Sequence, residues 1–275
     1  MNMTTHGGYT ALVLAAQRQK EGDPLAPFCN NGNKTLIEIG GRPMLAWVIE
    51  TLLDTPEINQ VLVSIENPAL LDAVAGFETA RSSGRLKAVQ AADNLFDSVQ
   101  GALEGEPGEG SACPALITTA DNPLLTREMV THFLRGVHES GAEAAIAMTR
   151  AEVLRAKYPN GQRRFYDFTN GQFSNCNLYA IRTSRAIAAA EAFRHGGQFR
   201  KKAGRILKAF GPLTFMLYFL RALSLDAMGE RLSRGFGVRI RFVIMPFAEA
   251  CIDVDNERTL KVARQIMETR IAAAV

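Results

Sequence analysis

Seven short apolar runs, the early ones separated by helical patterns, constrain what this chain can fold into. Rich in Val, Ile, Leu and Ala, they span Thr10 to Ala16, Gln60 to Glu66, Lys87 to Gln90, Ala115 to Thr119, Ala144 to Thr149, Asn177 to Ile181 and Val238 to Met245. Most do not alternate apolar with polar residues, so they read as strands buried on both faces. Helical patterns at Met44 to Leu53, Pro68 to Ala75, Asn94 to Leu103 and Arg127 to Glu139 lie between the early runs. This alternation predicts an α/β fold built on a mostly parallel, doubly wound sheet. Asn67 before Pro68 reads as an N-cap followed by proline at the first helical position, Asp93 or Asn94 caps the next helix, and Thr126 caps the one after Asp121.

With 47% hydrophobic and 21% charged residues over 275 positions, the chain can bury a large core as one domain. A net charge of +3, with no basic stripe interleaved with aromatics, argues against nucleic acid as a partner. Cys29, Cys113, Cys176 and Cys251 lie far apart, with no CxxC and no His-Cys cluster, so neither a zinc site nor a disulfide framework is expected, and the expected setting is the reducing cytoplasm. Met1 to Tyr9 is polar and no uncharged apolar run reaches the length of a membrane span, so neither secretion nor membrane insertion is expected. Glu104 to Cys113, rich in Gly and Pro among acids, reads as a surface linker.

From about Glu152 the regular alternation stops. Tyr158 to Asn175 is rich in Gly, Asn, Arg and aromatics, and Phe199 to Arg234 is a helical stretch interrupted at Gly211-Pro212. Its basic start, Phe199-Arg200-Lys201-Lys202, and apolar continuation suit a core or homodimer-interface helix, or an interfacial helix with weak membrane-surface association.

The first strand empties into Gln17-Arg18-Gln19-Lys20-Glu21-Gly22-Asp23, and Lys34 follows before the turn Gly40-Gly41. Cations just past a buried strand suit phosphates, whose charge must be met by groups fixed in place; the plainer reading is a solvated loop. Asp121 follows the run Ala115 to Ala120, where a carboxylate can hold Mg²⁺ or simply start the turn before Pro123. Asp253 and Asp255 alternate in an extended segment and share a face, so they can complete a metal site with Asp121, or one of them, like Asn256, can cap the helix Glu257 to Arg270. All three places lie past C-terminal strand ends, where open α/β sheets bind ligands. Ser174-Asn175-Cys176-Asn177 offers amides to a hydroxylated acceptor, or serves as turn chemistry. His6, His132, His138 and His195 show neither metal spacing nor a triad partner.

Taken together, Leu14-Ala15-Ala16-Gln17-Arg18 through Lys34, Ile39-Gly40-Gly41-Arg42-Pro43-Met44-Leu45, Thr118-Thr119-Ala120-Asp121-Asn122-Pro123-Leu124-Leu125 and Ile252-Asp253-Val254-Asp255-Asn256 resemble the MobA-like nucleoside triphosphate transferase family, in family order and over nearly the whole chain. The resemblance implies a Rossmann-like sheet of the GT-A type and Mg²⁺-dependent nucleotidyl transfer from a nucleoside triphosphate to a small phosphorylated acceptor: a sugar phosphate, a polyol phosphate such as inositol phosphate, or a cofactor precursor. It implies that Leu14, Ala15, Ala16 and Gln17 line the nucleotide, that Arg18 and Lys34 meet the triphosphate, and that Asp121 and Asp255 hold the metal. Asp97-Ser98-Val99-Gln100-Gly101-Ala102-Leu103 is similar to a segment of isoprenoid-pathway cytidylyltransferases whose serine contacts cytosine, so Ser98, with Asp93 nearby, points to CTP. GTP is the next choice, with guanylyl transfer to molybdopterin as the alternative. Asn175, Asn177 and Lys202 are the expected acceptor contacts.

On this reading residues 1–275 form one domain: a nucleotide-binding half over 1–150, an acceptor-side elaboration over 151–237, and a closing strand, metal aspartate and helix over 238–275. Gln17 and Gln19 stand where the family loop usually has glycine, which reduces close backbone approach to phosphate. Two other functions use the same residues: a GT-A glycosyltransferase with Asp253-Val254-Asp255 as its Asp-x-Asp motif, and an inactive nucleotide-binding regulator.

Overall fold

The computed structural model describes residues 8–17, 23–29, 33–72, 74–104, 112–190, 213–214 and 216–274. Arg18, Gln19, Lys20, Lys202, the centre of the Glu104 to Cys113 linker and the basic start of the Phe199 to Arg234 stretch lie outside them.

In chain order the described elements are β1 (Tyr9–Leu14), β2 (Glu38–Ile39), β3 (Arg42–Pro43), α1 (Met44–Leu53), β4 (Ile58–Ile65), α2 (Ala69–Asp72), α3 (Glu78–Ser82), β5 (Leu86–Gln90), α4 (Leu95–Glu104) and β6 (Ala115–Thr119). After them come α5 (Arg127–Glu139), β7 (Ala144–Arg150), α6 (Ala151–Lys157), β8 (Tyr166–Phe168), β9 (Gly171–Ile181), α7 (Ser184–Ala190), α8 (Leu225–Phe236), β10 (Ile240–Met245) and α9 (Glu257–Ala274). The main sheet runs β10-β7-β9-β6-β1-β4-β5, with β8 paired to β9. β1 pairs in parallel with β4 on one side and β6 on the other, β4 with β5, and β7 with β10. The chain thus leaves β1 towards β5 and returns across it to β6, which makes the C-terminal end of β1 the switch point where ligands bind in such sheets.

β9 runs antiparallel between β6 and β7. It begins at Gly171, well before the apolar run at Asn177, because ladder pairing across the sheet overrides the turn-like composition of Gly171 to Asn175. The pairing breaks between Ile146 and Met148, and there Asn177 takes a left-handed φ of 49°, the re-aiming of a side chain that a bulge produces. α2 also differs from its expected extent: its described residues are Ala69–Asp72 and Val74 already lies in a bend, with Asn67 Oδ1 accepting from Ala69 N at 3.2 Å. Asn94 rather than Asp93 caps α4, accepting from Asp97 N at 3.0 Å.

One face of the sheet is covered by α1 and α5, whose Val48, Ile49, Val130 and Phe133 share a buried cluster with Ala11 and Val13, and Ala263 and Ile266 of α9, which meets the β2–β3 hairpin, belong to the same cluster. The other carries α4, α7 and α8, with Val99, Leu103, Ile187 and Leu232 against Leu12 and Leu62. Gly40 and Gly41 form the two-residue turn of the β2–β3 hairpin, both at positive φ (58° and 76°), as such a turn requires. Among the described residues no helix is long and apolar enough to cross a membrane.

α5 approaches β10 closely at Gly136, where an added Cβ would lie 2.6 Å from Val243 Cγ1. Gly136→Ala should therefore destabilise by about 1 kcal/mol, overpacking outweighing the roughly 1 kcal/mol that alanine gains in a helix. In a Val243→Ala background the same change should become stabilising. Denaturant midpoints of the four proteins check this, and a gain of stability in the wild-type background contradicts the close approach.

Candidate active site

Three strand ends meet at the switch point. Leu14 O accepts from Ala120 N at 3.0 Å and Ala15 N donates to Ser64 O at 2.8 Å, so the exit of β1 is locked between β6 and β4. Val254 N donates to Asp121 O at 2.8 Å, which lays the Asp253 to Asp255 segment beside Asp121. Leu14 is half-buried, Ala15 is buried and Ala16 is exposed.

Lys34 opens a short 3-10 turn, Lys34–Leu36, capped by Asn33, whose Oδ1 accepts from Thr35 N at 2.8 Å. The Lys34 ammonium lies 2.6 Å from Asp121 Oδ2 and 3.8 Å from Asp255 Oδ1. Burial works against its charge, but Asp121 beside it, with Asp255 and Asp23, raises its pKa above the ordinary lysine value, so it is cationic at neutral pH. Gln17 braces this lysine: its Oε1 accepts from Lys34 N at 2.6 Å, while Gln17 N donates to Glu66 Oε2 at 3.1 Å. Glu66 Oε1 in turn accepts from Asn33 Nδ2 at 2.7 Å. Where glycine would free the backbone, Gln17 uses its side chain as a strut. Glu66 and Asn33 carry no motif of their own; the one signal for Glu66 is its place at the end of the β4 run, level with the exits of β1 and β6.

The carboxylates outnumber the ammonium. Asp253 accepts from Gln162 Nε2 and Asn177 Nδ2, each at 3.1 Å, yet burial, followed by the charges of Asp255 and Asp121, pushes its pKa up to about 7. The left-handed Asn177 thus turns its amide to the site. Asn175 is held differently: its amide donates to the Tyr179 hydroxyl and its Oδ1 accepts from Asn177 N at 3.0 Å, a bracing of the bulge. Asn256 caps α9, accepting from Thr259 N at 3.2 Å, which leaves Asp255 half exposed beside Lys34. Asp93 is exposed in the turn after β5, the edge strand two places from β1, and Ser98 is buried in the first turn of α4 that follows it. The Ser98 hydroxyl is engaged with that turn, accepting from Ala92 N at 2.9 Å and lying 3.0 Å from Asn94 O.

Asp121 Oδ1, Asn122 Oδ1, Thr118 Oγ1, Thr119 Oγ1 and Ser64 Oγ are buried without a hydrogen-bond partner among the described residues. Buried acceptors left unpaired are uncommon and costly, and a group of them at the switch point suits a polar ligand. An all-oxygen donor set also suits Mg²⁺. No three acidic, His or Cys side chains among the described residues converge to hold an ion unaided. That is compatible with Mg²⁺, which takes one or two carboxylates and completes its shell with phosphates and water.

The sequence matches the MobA-like NTP transferase domain over residues 12–209. The chain belongs to that family. It is a nucleotidyltransferase with the Rossmann-like α/β fold of the group. A structure described as a hypothetical transferase from Thermus thermophilus is 26% identical, covers 92% of this chain and 99% of its own, and superposes with a TM-score of 0.71. The fold is shared with 4-diphosphocytidyl-2C-methyl-D-erythritol synthase from Anaerococcus prevotii (12% identity, 95% and 96% coverage, TM-score 0.58). It is shared also with CMP:2-keto-3-deoxy-manno-octonic acid synthetase solved with CTP (15% identity, 96% and 100% coverage, TM-score 0.53). No curated protein matches the chain significantly.

The raised pKa of Asp253 has a sign that can be checked. An unfolded Asp titrates near 3.9, so the folded state binds more protons between about pH 4 and 7, and stability falls as pH rises through that window. Asp253→Asn cannot ionise and escapes this loss. In magnesium-free buffer its melting temperature should gain on wild type from about pH 4 to 7; a constant difference contradicts the shift.

Proposed function

We propose that this transferase moves a nucleoside monophosphate from a nucleoside triphosphate to the phosphate of a small acceptor and releases pyrophosphate. The observation that carries the reading is the convergence of Lys34, Asp121 and Asp255 at the end of β1, with Lys34 held cationic between the carboxylates. CTP is the favoured donor and GTP the next. CTP is supported by the two fold relatives, one named for a diphosphocytidyl product and one bound to CTP. Sugar phosphates, polyol phosphates such as inositol phosphate, and cofactor precursors are the acceptor classes; molybdopterin belongs with the GTP alternative.

An acceptor phosphate oxygen attacks the α-phosphorus in line. One P–O bond forms there as the bond to the β-phosphate bridging oxygen breaks, and pyrophosphate departs with that electron pair. The attacking oxygen is already anionic, so no general base is needed, and none of the four histidines is required. Catalysis then rests on placement and on charge meeting charge. Lys34, fixed through Gln17 and Asn33, supplies a positioned cation to the triphosphate. Leu14, Ala15 and Ala16 border the nucleotide, and Asn177 orients Asp253 towards the acceptor side. Asp121 and Asp255 would hold Mg²⁺, whose contribution is to neutralise phosphate charge. Asp93 and Ser98 shape the turn nearest the base.

Asp121→Ala and Lys34→Met should each lower turnover by at least about a hundredfold while the protein stays folded by circular dichroism. The measurement is pyrophosphate release with Mg²⁺, screening four nucleoside triphosphates against phosphorylated acceptors. Retention of most activity by Asp121→Ala contradicts the site assignment. Nucleotide binding without release across the panel points instead to a regulatory protein, and transfer from nucleotide sugars to a glycosyltransferase.

A further inference from the structure

Beside the carboxylates lies an open groove of about 460 Å³ whose lining includes Arg163, Arg258, Lys261 and Glu257. The site and the groove share their supports. Gln162 Nε2 holds Asp253, while Gln162 Oε1 accepts from Arg163 N at 2.8 Å and Arg164 N at 3.2 Å, so the loop that carries Arg163 is tied to the Asp253–Asp255 segment. Arg258 in the first turn of α9 clamps the same loop from the other side through the carbonyls of Asn160 and Gly161, the latter at 3.1 Å. The floor of the groove begins two residues beyond Asp255.

Three cations face this space and one carboxylate offsets them. Glu257 Oε1 pairs with Lys261 Nζ at 2.8 Å, which leaves an excess of two positive charges. Arg163 stands close enough to Arg258 that, after burial, its charge lowers the Arg258 pKa. Two guanidiniums and an ammonium turned on one groove repel one another, and an anion seated among them removes that repulsion. A phosphomonoester carries about −1.5 to −2 at neutral pH and accepts paired hydrogen bonds from guanidinium, which matches this excess.

We infer that this groove receives the phosphate of the acceptor, so that Arg163, Arg258 and Lys261 select dianionic phosphomonoesters and present them beside Asp255. The inference rests on the transferase reading and specifies its second substrate. It adds side chains outside the motifs around Lys34, Asp121 and Asp255, and it separates the two phosphate binders: Lys34 for the nucleotide, the groove for the acceptor.

The test uses inorganic phosphate as the probe, titrated calorimetrically into the full chain. Because Arg258 also holds the loop, the variant is Arg163→Gln with Lys261→Gln, checked for an unchanged melting temperature. Wild type should bind phosphate, the double variant at least tenfold more weakly, and Lys34→Met as wild type does; CTP affinity should be unaltered in the double variant. No phosphate binding by wild type, unchanged binding by the double variant, or loss confined to Lys34→Met overturns the inference. Pyrophosphate release is scored separately: its absence in wild type overturns the transferase reading, whereas failure of phosphate to bind the groove while release persists overturns only the acceptor subsite.

Discussion

The hydrogen bond from Val254 N to Asp121 O, 2.8 Å long, is the contact on which the site depends. Asp121 leaves β6 in the middle of the sheet, and Val254 follows β10 at one edge, three places away. Strand pairing alone brings neither carboxylate near the other. This one backbone bond brings Asp255 within reach of the lysine that pairs with Asp121, and the capping of α9 by Asn256 and Thr259 fixes its direction there. The locked exit of β1 supplies the second half: Gln17, bonded to Glu66 and to Lys34 N, turns a strand end into a rigid mount for the ammonium.

The electrostatics follow from that geometry. Asp121 and Asp255 share one lysine, and burial, followed by the charges of those two carboxylates, raises the pKa of Asp253 beside them. Such a cluster is costly without a cation and favourable with one, which is the condition for electrostatic preorganisation: charges are placed before the reaction needs them. A few residues away the sign reverses, with Arg163, Arg258 and Lys261 around the groove. Gln162 stands on the border, bonded to Asp253 by its amide and to the Arg163 and Arg164 amides by its oxygen.

The periodic elements were legible from the chain itself because their signals are local. α1 and α5 match their patterns residue for residue, since apolar spacing sets them and, for α5, a threonine cap with Thr126 accepting from Met129 N. β9 was only half legible: Gly171 to Asn175 has the composition of a turn and becomes strand only through pairing with β7 and β8. Lys34, Asp121 and Asp255 could be read from motifs beyond strand ends. Glu66, Asn33 and Gln162 could not, because their parts are partnerships across tens of residues and no local pattern records them. The side-chain placement of Ser98 and Asn175 is likewise a matter of local bonding, to the turn after β5 and to Tyr179, that residue type alone does not disclose.

The central claim is that these carboxylates and this lysine form a site completed by a nucleotide and a divalent cation together. Electron paramagnetic resonance of Mn²⁺, standing in for Mg²⁺, tests it most directly. The account predicts weak binding of the ion to the protein alone, one tightly held ion when CTP is added, and loss of that tight ion in Asp255→Asn. A tight ion that needs no nucleotide, or one that Asp255→Asn leaves in place, would contradict it.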